Sequence, residues 1–138
     1  MMEERGAGRA LYSEVLLEHY RNPRNVGEIE GSQAVAQVGD PTTGDVLRLS
    51  LLIEGDRVVQ AKFKSFGCTA AIAAGSVTTE LVIGRRIEEI ERLTDRDVAK
   101  ALGGLPASKV HCSVLAEQAI REAVGRFREA AGSRQGGD

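Results

Sequence analysis

Residues 46–74 read VLRLSLLIEGDRVVQAKFKSFGCTAAIAA, and the changes of rhythm inside this stretch decide the fold class. Val46 to Ile53 is rich in residues that strands favour, and Glu54-Gly55-Asp56 supplies a turn. In the next run Val59, Ala61 and Phe63 alternate with Gln60, Lys62 and Lys64, which predicts a hairpin with one solvated face. The alternation ends at Phe66-Gly67-Cys68. Small residues from Thr69 to Ala74 then open a helix expected to reach Ile83 and to stop at Gly84. Cys68 therefore stands where sheet hands over to helix.

Outward from this stretch, Leu11, Val15 and Leu16 recur at helical spacing until Asn22-Pro23, which predicts a helix over residues 9–20. Ala34 to Val38 reads as a short strand, broken by the polar loop Gly39-Asp40-Pro41-Thr42-Thr43-Gly44-Asp45. On the C-terminal side two short helices are expected at 87–92 and 95–102, the second capped by Thr94 and closed by Gly103-Gly104. After the connector Leu105 to Ser108, the spacing of Leu115, Ala119, Ala123 and Phe127 marks a long amphipathic helix from about Lys109, with His111 and Cys112 in its first turn. Strands first and helices after predict an α+β domain, a small antiparallel three-stranded sheet with helices packed on one face.

The 138 residues are enough for one core, expected over about residues 10–130, with residues 1–8 and 131–138 flexible. Hydrophobic residues at 42% and charged residues at 28% are an ordinary globular balance, and a net charge of -2 offers no broad attraction to nucleic acid or to anionic membrane. No stretch reads as an export signal or as a membrane span, so a cytoplasmic protein is expected. The chain has two cysteines, far apart, and reduced thiols rather than a disulfide framework follow from that context.

Chemistry-bearing residues collect at three junctions: Thr42 to Asp45, Gly67-Cys68-Thr69, and His111-Cys112-Ser113. A thiol at a helix N-terminus meets unpaired backbone N–H groups, which favour its thiolate, and both cysteines have that placement. Asp45, Cys68, His111 and Cys112 together offer one carboxylate, one imidazole and two sulfurs, a set compatible with tetrahedral zinc or with iron. Taken singly, each cysteine reads equally well as a small buried hydrophobe, and Asp45 beside a glycine as a turn residue. His19 reads as a helix-surface or core-edge residue, and Lys62, Lys64, Arg85 and Arg86 as solvated charges.

Motifs separate these readings. His19 to Gly27, HYRNPRNVG, resembles the H-Y-x-N-P-R-N-x-G signature of the IscU/NifU N-terminal family of iron-sulfur cluster assembly scaffolds. Gly44-Asp45 resembles the G-D of that family's ligand loop, Phe63 to Cys68 its F-K-x-x-G-C, Thr79-Glu80 with Gly84 its T-E-x-x-x-G, and Lys109 to Glu117 its K-x-H-C-S-x-L-A-E. The resemblance runs in order over about residues 11–127, without the insertion of the SufU branch. It implies a scaffold rather than an enzyme. Asp45, Cys68, His111 and Cys112 would hold iron or a transient 2Fe-2S cluster, and Cys112 would accept persulfide sulfur from a cysteine desulfurase. The implied partners are that desulfurase, frataxin-like and Hsp70-type chaperone proteins, and recipient apoproteins.

Two departures qualify the implication. Thr43 stands where the family's ligand loop has its first cysteine, and a threonine hydroxyl is a hard, weak donor, so a cluster must lean on Asp45 or an outside ligand. Leu105-Pro106-Ala107-Ser108-Lys109 differs from the family's L-P-P-V-K chaperone segment at Ala107 and Ser108. Three functions follow: a cluster scaffold; a zinc-binding paralogue that docks on a desulfurase without building clusters; and an acyl-transfer enzyme with a cysteine nucleophile, His111 as base and Asp45 as orienting group.

Overall fold

The structure, a computed structural model, describes residues 12–40, 42 and 44–136, the side chains of 133–136 excepted. Leu11, Thr43 and residues 1–8 therefore lie outside the described residues. Helix α1 (Glu14–Arg21) is followed by strands β1 (Ala34–Asp40), β2 (Asp45–Glu54) and β3 (Arg57–Phe66). Helices α2 (Thr69–Val82), α3 (Ile87–Ile90) and α4 (Asp95–Ala101) come next, then a 3-10 turn (Ala107–Lys109) and the long α5 (Val110–Gly136). The strands form one antiparallel sheet in the order β1-β2-β3, as the strand-then-helix pattern predicts.

One face of the sheet makes the core. Ala36, Leu49 and Phe63 pair across the three strands and are all buried, while Gln37, Arg48 and Lys64 pair one step along on the other face. Helix α5 lies against β1 and β2, and α2 against β3 and α5. Ala116, Ala119, Ile120, Ala123 and Val124 supply the buried stripe of α5. Full burial of a side chain such as Leu49 or Phe63 contributes roughly 1.5–3 kcal/mol. Helix α2 is made of small residues because it lies close to the sheet: a Cβ on Gly75 would sit 2.3 Å from the Phe63 ring.

The structure corrects several details. Val59 is exposed at 42% and Val58 is the buried residue, because a bulge places Val58 opposite Ile53 and Gln60 opposite Leu52, leaving Val59 as the extra residue. Helix α1 starts at Glu14, where Ser13 is the N-cap and its Oγ accepts the Leu16 amide at 2.9 Å, and residues 9–11 of the expected helix lie outside the described residues. Strand β1 continues past Val38 to Asp40, paired with Val46 and Asp45. Helix α5 runs on through Gly136, into the segment 131–138 expected to be flexible, with no proline in that stretch to stop it.

The HYRNPRNVG segment proves to be a strap. Asn25, at φ 60, accepts the Phe63 amide at its carbonyl and donates from Nδ2 to Thr79 Oγ1 at 2.9 Å, and the Gly27 amide donates to Phe63 O. The open edge of β3 is thereby covered. His19 is buried at 6% exposure, with Nδ1 2.7 Å from Ser76 Oγ and Nε2 3.4 Å from Glu80. A carboxylate can only accept, so Nε2 carries the proton and Ser76 donates to Nδ1, while Ser76 Oγ accepts the Arg24 amide. The residues of the HYRNPRNVG and TE motifs thus interlock.

Candidate metal and sulfur site

Three chain reversals bring the junction residues together. Asp45 opens β2 immediately after Gly44, which holds φ 95. Cys68 is the N-cap residue of α2 and makes no side-chain capping bond, so its sulfur is free to face the site. His111 and Cys112 follow the 3-10 turn at the start of α5. Asp45 Oδ2 lies 2.5 Å from His111 Nε2, and Asp45 Oδ1 accepts the Cys68 amide at 3.2 Å. Cys112 Sγ is 3.6 Å from His111 Nε2 and 3.8 Å from Cys68 Sγ.

A ligand atom from each of Asp45, His111 and Cys112 lies within 4.8 Å of the others, a triangle that one metal ion can span. Cys68 stands outside that triangle and joins it through the Cys112 sulfur. All four residues singled out in the sequence therefore meet, although the fourth needs an inward shift to share an ion. A cavity of about 280 Å³ opens beside them, lined by Gly39, Asp45, His111, Val114, Leu115 and Gln118.

Electrostatics differ from the expectation of two helix-start thiolates. Burial pushes the Cys112 thiol up to about 12, and the charges of Cys68 and Asp45 add to the rise against the opposing charge of Lys109. At 1% exposure its desolvation outweighs the helix terminus, and the metal-free side chain is a neutral thiol. Burial also raises Asp45, but the hydrogen bonds from His111 and the Cys68 amide, with the charges of His111 and Lys109, outweigh it and hold the carboxyl below its ordinary value. The Lys109 pKa is raised, first by the charge of Cys68 and then by Tyr12, Cys112 and Asp45.

Sequence reasoning gave no role of their own to two contributors. Lys109 supplies the positive charge that faces this acidic and sulfur-rich corner, and its only signal was its place in the KVHCSVLAE run. Gly67, at φ 141, is required because a Cβ there would lie 2.1 Å from Asp45 Oδ1. The acyl-transfer arrangement is poorly served. His111 Nε2 faces both Asp45 and Cys112, whereas a base oriented through its other nitrogen needs the two partners on opposite sides of the ring.

Residues 11–133 match the family described as NifU-like N terminal domain, a span that includes all four of these residues. The chain belongs to that family. Among its relatives, the iron-sulfur cluster assembly scaffold protein IscU 1 of Archaeoglobus fulgidus is 46% identical over 114 residues, 83% of this chain and 74% of that protein. The iron-sulfur cluster assembly scaffold protein IscU of Azotobacter vinelandii is 42% identical over 125 residues, 88% of this chain and 97% of that one. The fold also matches the crystal structure of a nitrogen-fixing NifU-like protein (N-terminal) from Brucella abortus, with a TM-score of 0.56 at 21% identity over 86% of this chain and 83% of that one. As a NifU-like N-terminal domain, the chain has the α+β architecture read from its strand and helix order. Among the described residues no helix is long and apolar enough to cross a membrane.

Proposed function

We propose that this chain is a scaffold for iron-sulfur cluster assembly, on which Cys112 accepts sulfur from a cysteine desulfurase and Asp45, Cys68, His111 and Cys112 hold iron or a transient 2Fe-2S cluster as cargo. The observation that carries this reading is the convergence of those four side chains from the starts of β2, α2 and α5. Relatives at 42–46% identity bear the name of cluster assembly scaffolds, which supports the same reading. Metal entry supplies a physical sequence of events. The Cys112 thiol must lose its proton to ligate, and the Asp45–His111 contact must open so that the imidazole nitrogen can turn to the ion.

A second reading is favoured by the donor set itself. One carboxylate, one imidazole and two sulfurs complete tetrahedral zinc, whereas Thr43 leaves a cluster one thiolate short of the family's usual loop. A scaffold that rests as the zinc form and exchanges zinc for iron, and a zinc-binding paralogue that never builds a cluster, share these residues. In this proposal the desulfurase delivers sulfur in the cytoplasm, frataxin-like and Hsp70-type proteins act on the loaded scaffold, and recipient apoproteins take the cluster. Ala107 and Ser108 make the chaperone contact the weakest of these.

The deciding experiment is anaerobic reconstitution with ferrous iron, cysteine and a cysteine desulfurase, followed by visible absorption and iron, zinc and sulfide analysis. Charge-transfer bands with equal iron and sulfide, lost in Cys112→Ser, are expected of the scaffold. Bound zinc with no bands and no sulfide establishes the second reading instead.

A further inference from the structure

The two sulfurs of this chain touch. Cys68 Sγ lies 3.8 Å from Cys112 Sγ, both side chains are free thiols, and the chain holds no third cysteine. Cys68 is half-buried and Cys112 is buried, so the pair presents one accessible thiol against one enclosed sulfur. We propose that Cys68 is the resolving thiol of the sulfur-loaded site: it attacks the inner sulfur of a persulfide on Cys112, releases sulfide, and leaves a Cys68–Cys112 disulfide. The inference rests on the reading of Cys112 as sulfur acceptor.

The step balances within the chain. The Cys68 thiol and the Cys112 persulfide become one Cys68–Cys112 disulfide and one molecule of hydrogen sulfide. The new bond joins the two Sγ atoms, and the bond between Cys112 Sγ and the terminal sulfur breaks. The terminal sulfur takes both electrons of that bond, is reduced from the persulfide to the sulfide level and leaves with its own proton and that of Cys68, while the Cys68 sulfur is oxidised from thiol to disulfide level and the Cys112 sulfur stays at that level. No outside oxidant or reductant enters until the disulfide is reset, which takes two electrons and two protons from a dithiol reductant.

Geometry selects this outcome over handing the sulfur to Cys68. Thiol exchange proceeds by attack along the bond that breaks, and a sulfur–sulfur bond is about 2.05 Å long. The 3.8 Å gap between the two Sγ atoms has no room for a terminal sulfur in line between them, since about 1.8 Å would remain for its approach to the second sulfur. With the terminal sulfur turned away, the inner sulfur is the atom that Cys68 faces. His111 Nε2 lies 3.6 Å from Cys112 Sγ, beside the reacting bond. Sulfide is thus released next to Asp45 and His111, where an iron ion would be held.

The test loads the reduced, metal-free chain anaerobically with inorganic polysulfide, removes the excess, and follows sulfide release and peptide masses without added thiol. The wild-type chain should lose its Cys112 persulfide as it releases one sulfide per chain and gains a disulfide-linked 68–112 peptide pair that a dithiol cleaves. In Cys68→Ser the persulfide on Cys112 should last at least about tenfold longer, the scale expected when a positioned intramolecular thiol is removed. A wild-type persulfide on Cys112 as long-lived as that of Cys68→Ser overturns the proposal. The disulfide mapping uses the wild-type chain, so it stands whether or not the variant folds. A parallel sample loaded by a cysteine desulfurase separates the two claims. Loading by polysulfide alone, with sulfide release intact, removes the desulfurase and leaves the resolving thiol, whereas no uptake at Cys112 from either donor removes both.

Discussion

Asp45 and His111, 66 residues apart in sequence, meet at 2.5 Å between Oδ2 and Nε2, while the second oxygen of Asp45 holds the Cys68 amide at 3.2 Å. One carboxylate therefore ties the first residue of β2 to the starts of α2 and α5. It orients these side chains, and in the proposed function an entering cation would take the place of the hydrogen bond between carboxylate and imidazole.

Asp45→Asn keeps the side-chain shape and removes the charge. Affinity for zinc or ferrous iron should fall by about 10–100-fold, the scale seen when a group that orients or charges a metal site is lost. Thermal stability at neutral pH should change little beside that loss. Competition with a chromophoric chelator measures the first, and unfolding followed by circular dichroism the second.

Two glycine-to-alanine changes should have opposite signatures. In Gly67→Ala the new Cβ meets Asp45 Oδ1 at 2.1 Å on a backbone at φ 141, so metal binding is lost while the core is untouched. In Gly75→Ala it meets the Phe63 ring at 2.3 Å, and overpacking of that kind costs about 1–3 kcal/mol of stability, read from denaturant midpoints. Equal loss of metal binding in both variants would contradict this division.

His19 makes stability depend on pH. Burial lowers its pKa from 6.5; Glu80 and Glu18 raise it in part and Arg24 lowers it further, with the lowering dominant. The unfolded chain therefore binds a proton that the folded one refuses. This contribution is complete above pH 6.5 and is lost as pH falls through 6.5 towards the folded value. Asp45 adds a separate loss below its ordinary value of 3.8. Denaturant titrations between about pH 8 and pH 5 should show a slope that flattens in His19→Gln.

Iodoacetamide should distinguish the two thiols of the metal-free chain. Cys112, 1% exposed and with its thiol pushed up to about 12, should alkylate at least about tenfold more slowly than half-buried Cys68 at mildly alkaline pH. Zinc should protect both. Peptide mapping after timed quenching gives the two rates, and equal rates would show that Cys112 is not shielded in solution.

Thr43→Cys restores a third thiolate to the ligand loop. Bands formed in the reconstitution should then decay several-fold more slowly under a chelator than in the parent chain, because thiolate is the donor that iron-sulfur clusters require. An unchanged decay would mean that position 43 does not reach the cargo.

The order of elements was legible in the sequence because it depends on local patterning. The hairpin around Gly55, the join at Cys68, the cap at Thr94 and the stripe of α5 each announce themselves within a few residues. The four residues that converge were legible as well, since each lies at a junction and inside a recognisable motif. Three matters were decided only by the tertiary structure. The bulge that buries Val58 in place of Val59 depends on pairing with a strand across the turn. The burial of His19 and the role of Asn25 depend on Ser76 and Thr79, more than fifty residues away. The neutral thiol of Cys112 depends on desolvation by the packed core, which overrides the helix terminus that a sequence can suggest. Periodicity and capping are local and survive in one dimension, whereas register, burial and the 3.8 Å contact between two sulfurs exist only when distant segments pack together.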